Sequence, residues 1–79
     1  MNLEILTPEK TIFNGTVQMV RVPGTKGLFQ ILKNHAPIIS TLEKGKIRLR
    51  NMSGNITEFD VNKGYIKCAK NNITILIQE

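Results

Sequence analysis

The sequence predicts an all-β domain, an antiparallel sandwich or barrel of short strands spanning residues 1–79. Three observations carry that prediction. Apolar residues recur at every second position in short runs, the period of a strand with one buried face. Turn residues such as Asn14-Gly15, Pro23-Gly24 and Ser53-Gly54 separate those runs. No segment offers two turns of helix with an apolar stripe, so no helix is expected.

Taken in order, residues 2–7 alternate Leu3 and Ile5 against Glu4, and Pro8 ends the run. Residues 11–13 form a short second strand that Asn14-Gly15 closes as a turn. A third runs from Val17 to Val22 and stops at Pro23-Gly24. Leu28–Leu32, Pro37–Leu42, Lys46–Asn51, Ile56–Val61, Tyr65–Lys70 and Ile73–Ile77 follow. Pairing Leu49 with Phe59 and Ile47 with Val61 buries those four on one side and leaves Ser53-Gly54-Asn55 as the loop. The same register sets Arg50 opposite Glu58 and Arg48 opposite Asp60, cross-strand pairs that contribute roughly 0.2–1 kcal/mol each. The basic stripe Lys46, Arg48, Arg50 then reads as a solvated, partly neutralised face. In the last hairpin Asn71-Asn72 fits a turn with positive φ at both positions. Cys68 then faces Ile75, and Ile66 faces Ile77.

Bulk properties narrow the function. A chain of 79 residues is one domain with a marginal core, which makes docking onto a partner a natural source of further stability. No apolar run reaches membrane-spanning length, and the start lacks the pattern of a signal peptide. A single cysteine agrees with a cytosolic address, and the N-x-S/T triplets at Asn14, Asn51, Asn55 and Asn72 read as chance matches in an Asn-rich chain. The net charge of +5 favours an acidic partner, although the lysines are spread along the chain rather than clustered.

The inventory for chemistry is thin. Six acids, one histidine and one cysteine supply neither a zinc set nor a separated acid–base pair. There is no Walker-type phosphate loop. The stretch 24–27, Gly-Thr-Lys-Gly, matches the G-x-x-G clamp of RNA-binding KH domains, but that clamp joins two helices. Four aromatic residues are too few for a nucleic-acid stacking platform. A small basic β-barrel binding single-stranded nucleic acid is therefore a secondary reading. So is a biotinyl- or lipoyl-type carrier displaying Lys63 at a hairpin tip. No catalytic residue, cofactor or metal is expected.

The order of motifs identifies more than any one of them. The chain opens L-E-I-L-T-P-E, continues F-N-G-T-V-Q-M-V-R-V-P-G-T-K-G, then H-A-P-I-I-S-T-L-E-K-G-K-I-R-L, and ends N-K-G-Y-I-K-C-A-K-N-N-I-T-I-L-I. From Leu3 to Ile77 this resembles the epsilon subunit of bacterial F-type ATP synthases, specifically its N-terminal β-sandwich domain. The resemblance implies a flattened antiparallel sandwich of about ten short strands, serving as a non-catalytic rotor part at the foot of the central stalk. Its partners there are the gamma subunit and the ring of c subunits, at the cytoplasmic face of the bacterial cell membrane. The residues expected to touch those partners are Gly24, Thr25, Lys26, Gly27, Leu28, Lys33, Asn34 and His35. His35 is also expected to act as a hydrogen-bonded spacer for the Ala36-Pro37 turn. Leu28 stands where the family usually has an acid, which argues against an acidic bridge there, and Lys33-Asn34 replaces a usual Pro-Gly. Many members continue into a C-terminal helical hairpin that inhibits ATP hydrolysis and in some binds ATP. Neither property is expected of these residues.

Overall fold

The computed structural model describes residues 1–78, which form strands and their connections and no helix. Eight strands form: β1 (Asn2–Leu6), β2 (Thr11–Gly24), β3 (Gly27–Leu32), β4 (Ile38–Leu42), β5 (Gly45–Asn51), β6 (Ile56–Val61), β7 (Lys63–Ala69) and β8 (Asn72–Gln78). The first half of β2 pairs with β1, which continues through β8 and β7 to β4. The second half of β2 lies between β3 and β5, with β6 beyond β5. The long strand thus belongs to both layers of the sandwich. One bridge between Gly24 and Leu42 joins them again at the far end.

The all-β class holds, with eight strands instead of about ten. Part of the difference lies at Asn14-Gly15, which is not a turn. Neither residue has positive φ; they pair with Glu4 and Leu3 in the ladder. The side chain missing from Gly15 leaves room for the Phe13 ring, 3.3 Å from where a Cβ would stand. A non-local ladder has overridden a local turn preference. One pair, β1 with β8, is parallel, unlike the antiparallel pairing expected throughout.

Alternation builds a single core. Leu3 and Ile5, Val20 and Val22, Ile47 and Leu49, Ile66 and Cys68, and Ile73, Ile75 and Ile77 all point inward. Val17 joins them although it is three residues from Val20. A bulge at Gln18, where the β2–β5 register shifts, makes that spacing possible. Gly64 is obligatory because a Cβ there would overlap the Leu76 carbonyl oxygen.

Both expected hairpin registers are displaced by two residues. In the first, Ile47 faces Phe59, Arg48 faces Glu58, Lys46 faces Asp60 and Arg50 faces Ile56. The cause is Asn51, whose Oδ1 accepts the N–H groups of Ser53 at 2.9 Å and Asn55 at 3.0 Å. That side chain organises a longer loop, from Met52 to Asn55, with Gly54 at φ 86. In the second hairpin the turn is Lys70-Asn71, at φ 52 and 61, and Cys68 faces Ile73 while Ile66 faces Ile75. Asn71 is held at the turn because its carbonyl accepts the Asn2 N–H at 2.9 Å and its side chain binds Asn34. A slip of two residues keeps every side chain on its own face, so the predicted inside and outside survive.

Candidate functional site

The eight residues expected to contact partners bracket one strand, β3. Among the described residues this strand pairs only with β2 and therefore leaves one row of backbone groups free at an edge. At one end, Gly24 and Gly27 face each other across Thr25-Lys26. Gly24 must lack a side chain, since a Cβ would lie 2.7 Å from the Phe29 ring. Thr25 anchors this tip to β4: its N–H donates to the Thr41 carbonyl at 3.1 Å, and the two hydroxyls lie 2.9 Å apart. Gly27, at φ 127, supplies a conformation that side chains resist. Leu28 follows, 71% exposed on the outer face.

At the other end, the His35 N–H donates to the Leu32 carbonyl at 3.1 Å and closes a turn through Lys33-Asn34. Asn34 takes φ 65, the left-handed position that asparagine tolerates. Its N–H donates to Asn71 Oδ1 at 2.7 Å, and Asn71 Nδ2 donates back to Asn34 Oδ1 at 3.0 Å. This reciprocal amide pair clips the edge to the β7–β8 hairpin, and nothing in the sequence announced it. His35 is half-buried, with Nδ1 2.6 Å from the Ala36 carbonyl oxygen, but residues 35–37 run without the expected Ala36-Pro37 turn.

The two groups of residues do not converge. The length of β3 separates them by roughly 17 Å, at about 3.3 Å per residue. They form the two ends of one exposed edge, carrying Lys26 and Lys33, with Leu28 and Leu32 on its outer face. A long flat partner can meet all of them; a small substrate cannot.

Elsewhere the described residues form one ion pair. Lys46 and Asp60 pair at 2.8 Å on the exposed face. That hydrogen bond, with the mutual attraction, raises the Lys46 ammonium and lowers the Asp60 carboxyl from their ordinary values. Cys68 is 2% exposed, and burial pushes its thiol up, away from the thiolate a nucleophile needs. Among the described residues no three His, Cys, Asp or Glu side chains gather as a metal site. An apolar hollow between Pro8, Tyr65 and Leu76 offers, among the described residues, one lysine, Lys63, and no carboxylate. Lys63 is not at a hairpin tip either, since β6 and β7 pair with other strands and not with each other.

Comparison with known proteins agrees with this picture. The family model described as "ATP synthase, Delta/Epsilon chain, beta-sandwich domain" matches residues 1–79. The ATP synthase epsilon chain of Chlorobaculum tepidum is 38% identical over 77 residues, covering 98% of this chain and 88% of that relative. The epsilon chain of Magnetococcus marinus is also 38% identical, with 98% of this chain covering 56% of its length. Among solved structures, a chain of the Euglena gracilis mitochondrial ATP synthase superposes with a TM-score of 0.91 at 15% identity, covering 98% of this chain and 49% of that one. A chain from the central stalk and c-ring of the Tetrahymena thermophila mitochondrial enzyme gives 0.85 at 19% identity, covering all of this chain and 63% of that one. These structural likenesses speak to the fold. The matches of sequence show that the chain belongs to the ATP synthase delta/epsilon family, as a β-sandwich domain of the epsilon type.

Proposed function

We propose that the chain is a non-catalytic rotor subunit of the central stalk of a proton-translocating ATP synthase. It couples rotation of the c-ring, through gamma, to ATP synthesis in the catalytic head. The observation that carries this reading is family membership along the whole chain. The geometry is compatible with it: the described residues form a stiff two-layer sandwich and bring no set of reactive groups together. Gly24, Thr25, Lys26, Gly27 and Leu28 at one end of β3, and Lys33, Asn34 and His35 at the other, form the edge that meets gamma or the ring. The subunit works at the cytoplasmic face of the bacterial cell membrane, held there by its complex. It takes no cofactor.

Mechanically, a wedge between stalk and ring transmits torque best when it deforms little. Strands laced from both sides, as β8 is by β1 and β7, provide that stiffness. The test is direct binding of the purified chain to gamma and to c-ring in detergent. Saturable binding to either is the expected result. Failure to bind both would remove the rotor assignment.

A further inference from the structure

The outer face of the β3–β2–β5–β6 layer holds a feature that the rotor reading does not use. All three arginines of the chain, Arg21, Arg48 and Arg50, stand on it, on the two neighbouring strands β2 and β5. Arg21 and Arg48 are directly opposite each other across the ladder, and Arg50 is the next outward residue along β5 from Arg48. Like charges placed opposite each other on a sheet disfavour folding, so their position asks for a compensating anion. Among the described residues no carboxylate reaches any of them within ion-pair distance; the one salt bridge is Lys46 with Asp60. Arg21 Nη2 donates only to Gln30 Oε1, at 3.2 Å. Glu58 faces Arg48, yet part of its field falls on Lys46.

The surroundings select the kind of anion. The adjacent rung across the sheet reads Leu32, Met19, Arg50, Ile56. Met19 is buried on this outer face beside Leu32, which is 52% exposed, and Ile56, 40% exposed, lies on the far side of Arg50. Guanidinium forks beside methionine and aliphatic side chains form the composition of a protein interface core, where arginine and methionine are enriched and lysine is depleted. Planar forks also match carboxylates in a two-pronged geometry that ammonium groups lack. Of the eight lysines, Lys46 shares this face and is held by Asp60; a diffuse anionic surface would instead be met by the others, spread along the chain.

We infer that this face, which adjoins the β3 edge and shares Leu32 with it, is a second docking surface for an acidic protein segment that carries carboxylates next to apolar side chains. The inference stands on charge and composition alone and does not depend on the rotor assignment. It is tested on the isotopically labelled chain with three probes: poly-L-glutamate, inorganic phosphate, and vesicles of phosphatidylglycerol in phosphatidylcholine. Poly-glutamate is expected to shift the arginine side-chain signals and the Met19 methyl together. The Arg21→Gln/Arg48→Gln variant should bind it roughly tenfold more weakly while keeping or raising the unfolding midpoint, because a like-charge contact is gone. Lys44→Gln, at the same cost in net charge per site, should leave affinity nearly unchanged. Poly-glutamate shifts that follow the lysines would overturn the proposal. So would equal weakening by Lys44→Gln, or a response of the arginines to phosphate or vesicles and not to poly-glutamate.

Discussion

Strands β8 and β3 show how one sandwich separates holding itself together from touching something else. Strand β8 is paired on both sides, parallel to β1 and antiparallel to β7, and sends Ile73, Ile75 and Ile77 into the core. Strand β3 is paired on one side only, buries Ile31 fully, and leaves Leu28 and Leu32 in solvent. Its ends are nevertheless fixed, by Thr25 to Thr41 and by Asn34 to Asn71. The lesson is that an edge can be exposed without being loose. A rotor contact needs that combination, since a floppy edge would dissipate torque.

Breaking the interior should produce the largest effect. Ile75→Ala removes a fully buried side chain between two partners and is expected to cost about 2–5 kcal/mol. Denaturant unfolding monitored by circular dichroism measures it. Equal loss from Leu28→Ala would erase the distinction between the two strands.

The clip comes next. Asn71→Ala removes both amide hydrogen bonds to Asn34 and places a side chain that resists it at φ 61, for a loss of about 1–3 kcal/mol. Asn71→Gly loses the same bonds but tolerates the backbone, so it should recover roughly 1 kcal/mol of that. Amide exchange at Asn34 should quicken in both variants.

On the edge itself, Leu28→Gln should change stability by no more than about 0.5 kcal/mol. Its expected effect is weaker binding to gamma or the c-ring, read by titration against the purified partner.

The smallest effect is electrostatic. Asp60 has a lowered folded-state pKa, so its contribution is present above the unfolded carboxylate range and fades as pH falls through the folded value. Lys46 has a raised one, so its contribution is complete below the unfolded value and fades as pH rises through the folded value. The pair therefore helps across neutral pH and loses its effect at both extremes. Lys46→Gln should flatten this dependence slightly, in an exposed pair that salt also screens.

What the sequence made legible was sidedness. Period-two alternation placed Ile47, Leu49, Ile66, Cys68 and Val61 inside, and all five are buried. Register was harder to read, because a two-residue slip leaves the same alternation intact. The deciding groups were Asn51 and Asn71, whose side chains reshape the two turns through bonds that composition does not reveal. Asn14-Gly15 misled for the opposite reason, a strong local turn signal overruled by pairing with β1. Of the candidate site, Asn34 is a residue type that tolerates the positive φ it adopts. That β3 is an edge, and that Arg21 meets Arg48, depend on which strands become neighbours, which local pattern does not encode.

The central claim is that β3 with its two turns is the contact edge of a rigid rotor part. Amide hydrogen exchange of the chain, free and bound to purified gamma and c-ring, tests it most directly. The account predicts that protection on binding concentrates between Gly24 and His35, while β8 is slow in both states. Protection confined to other strands, with residues 24–35 exchanging as fast bound as free, would contradict it.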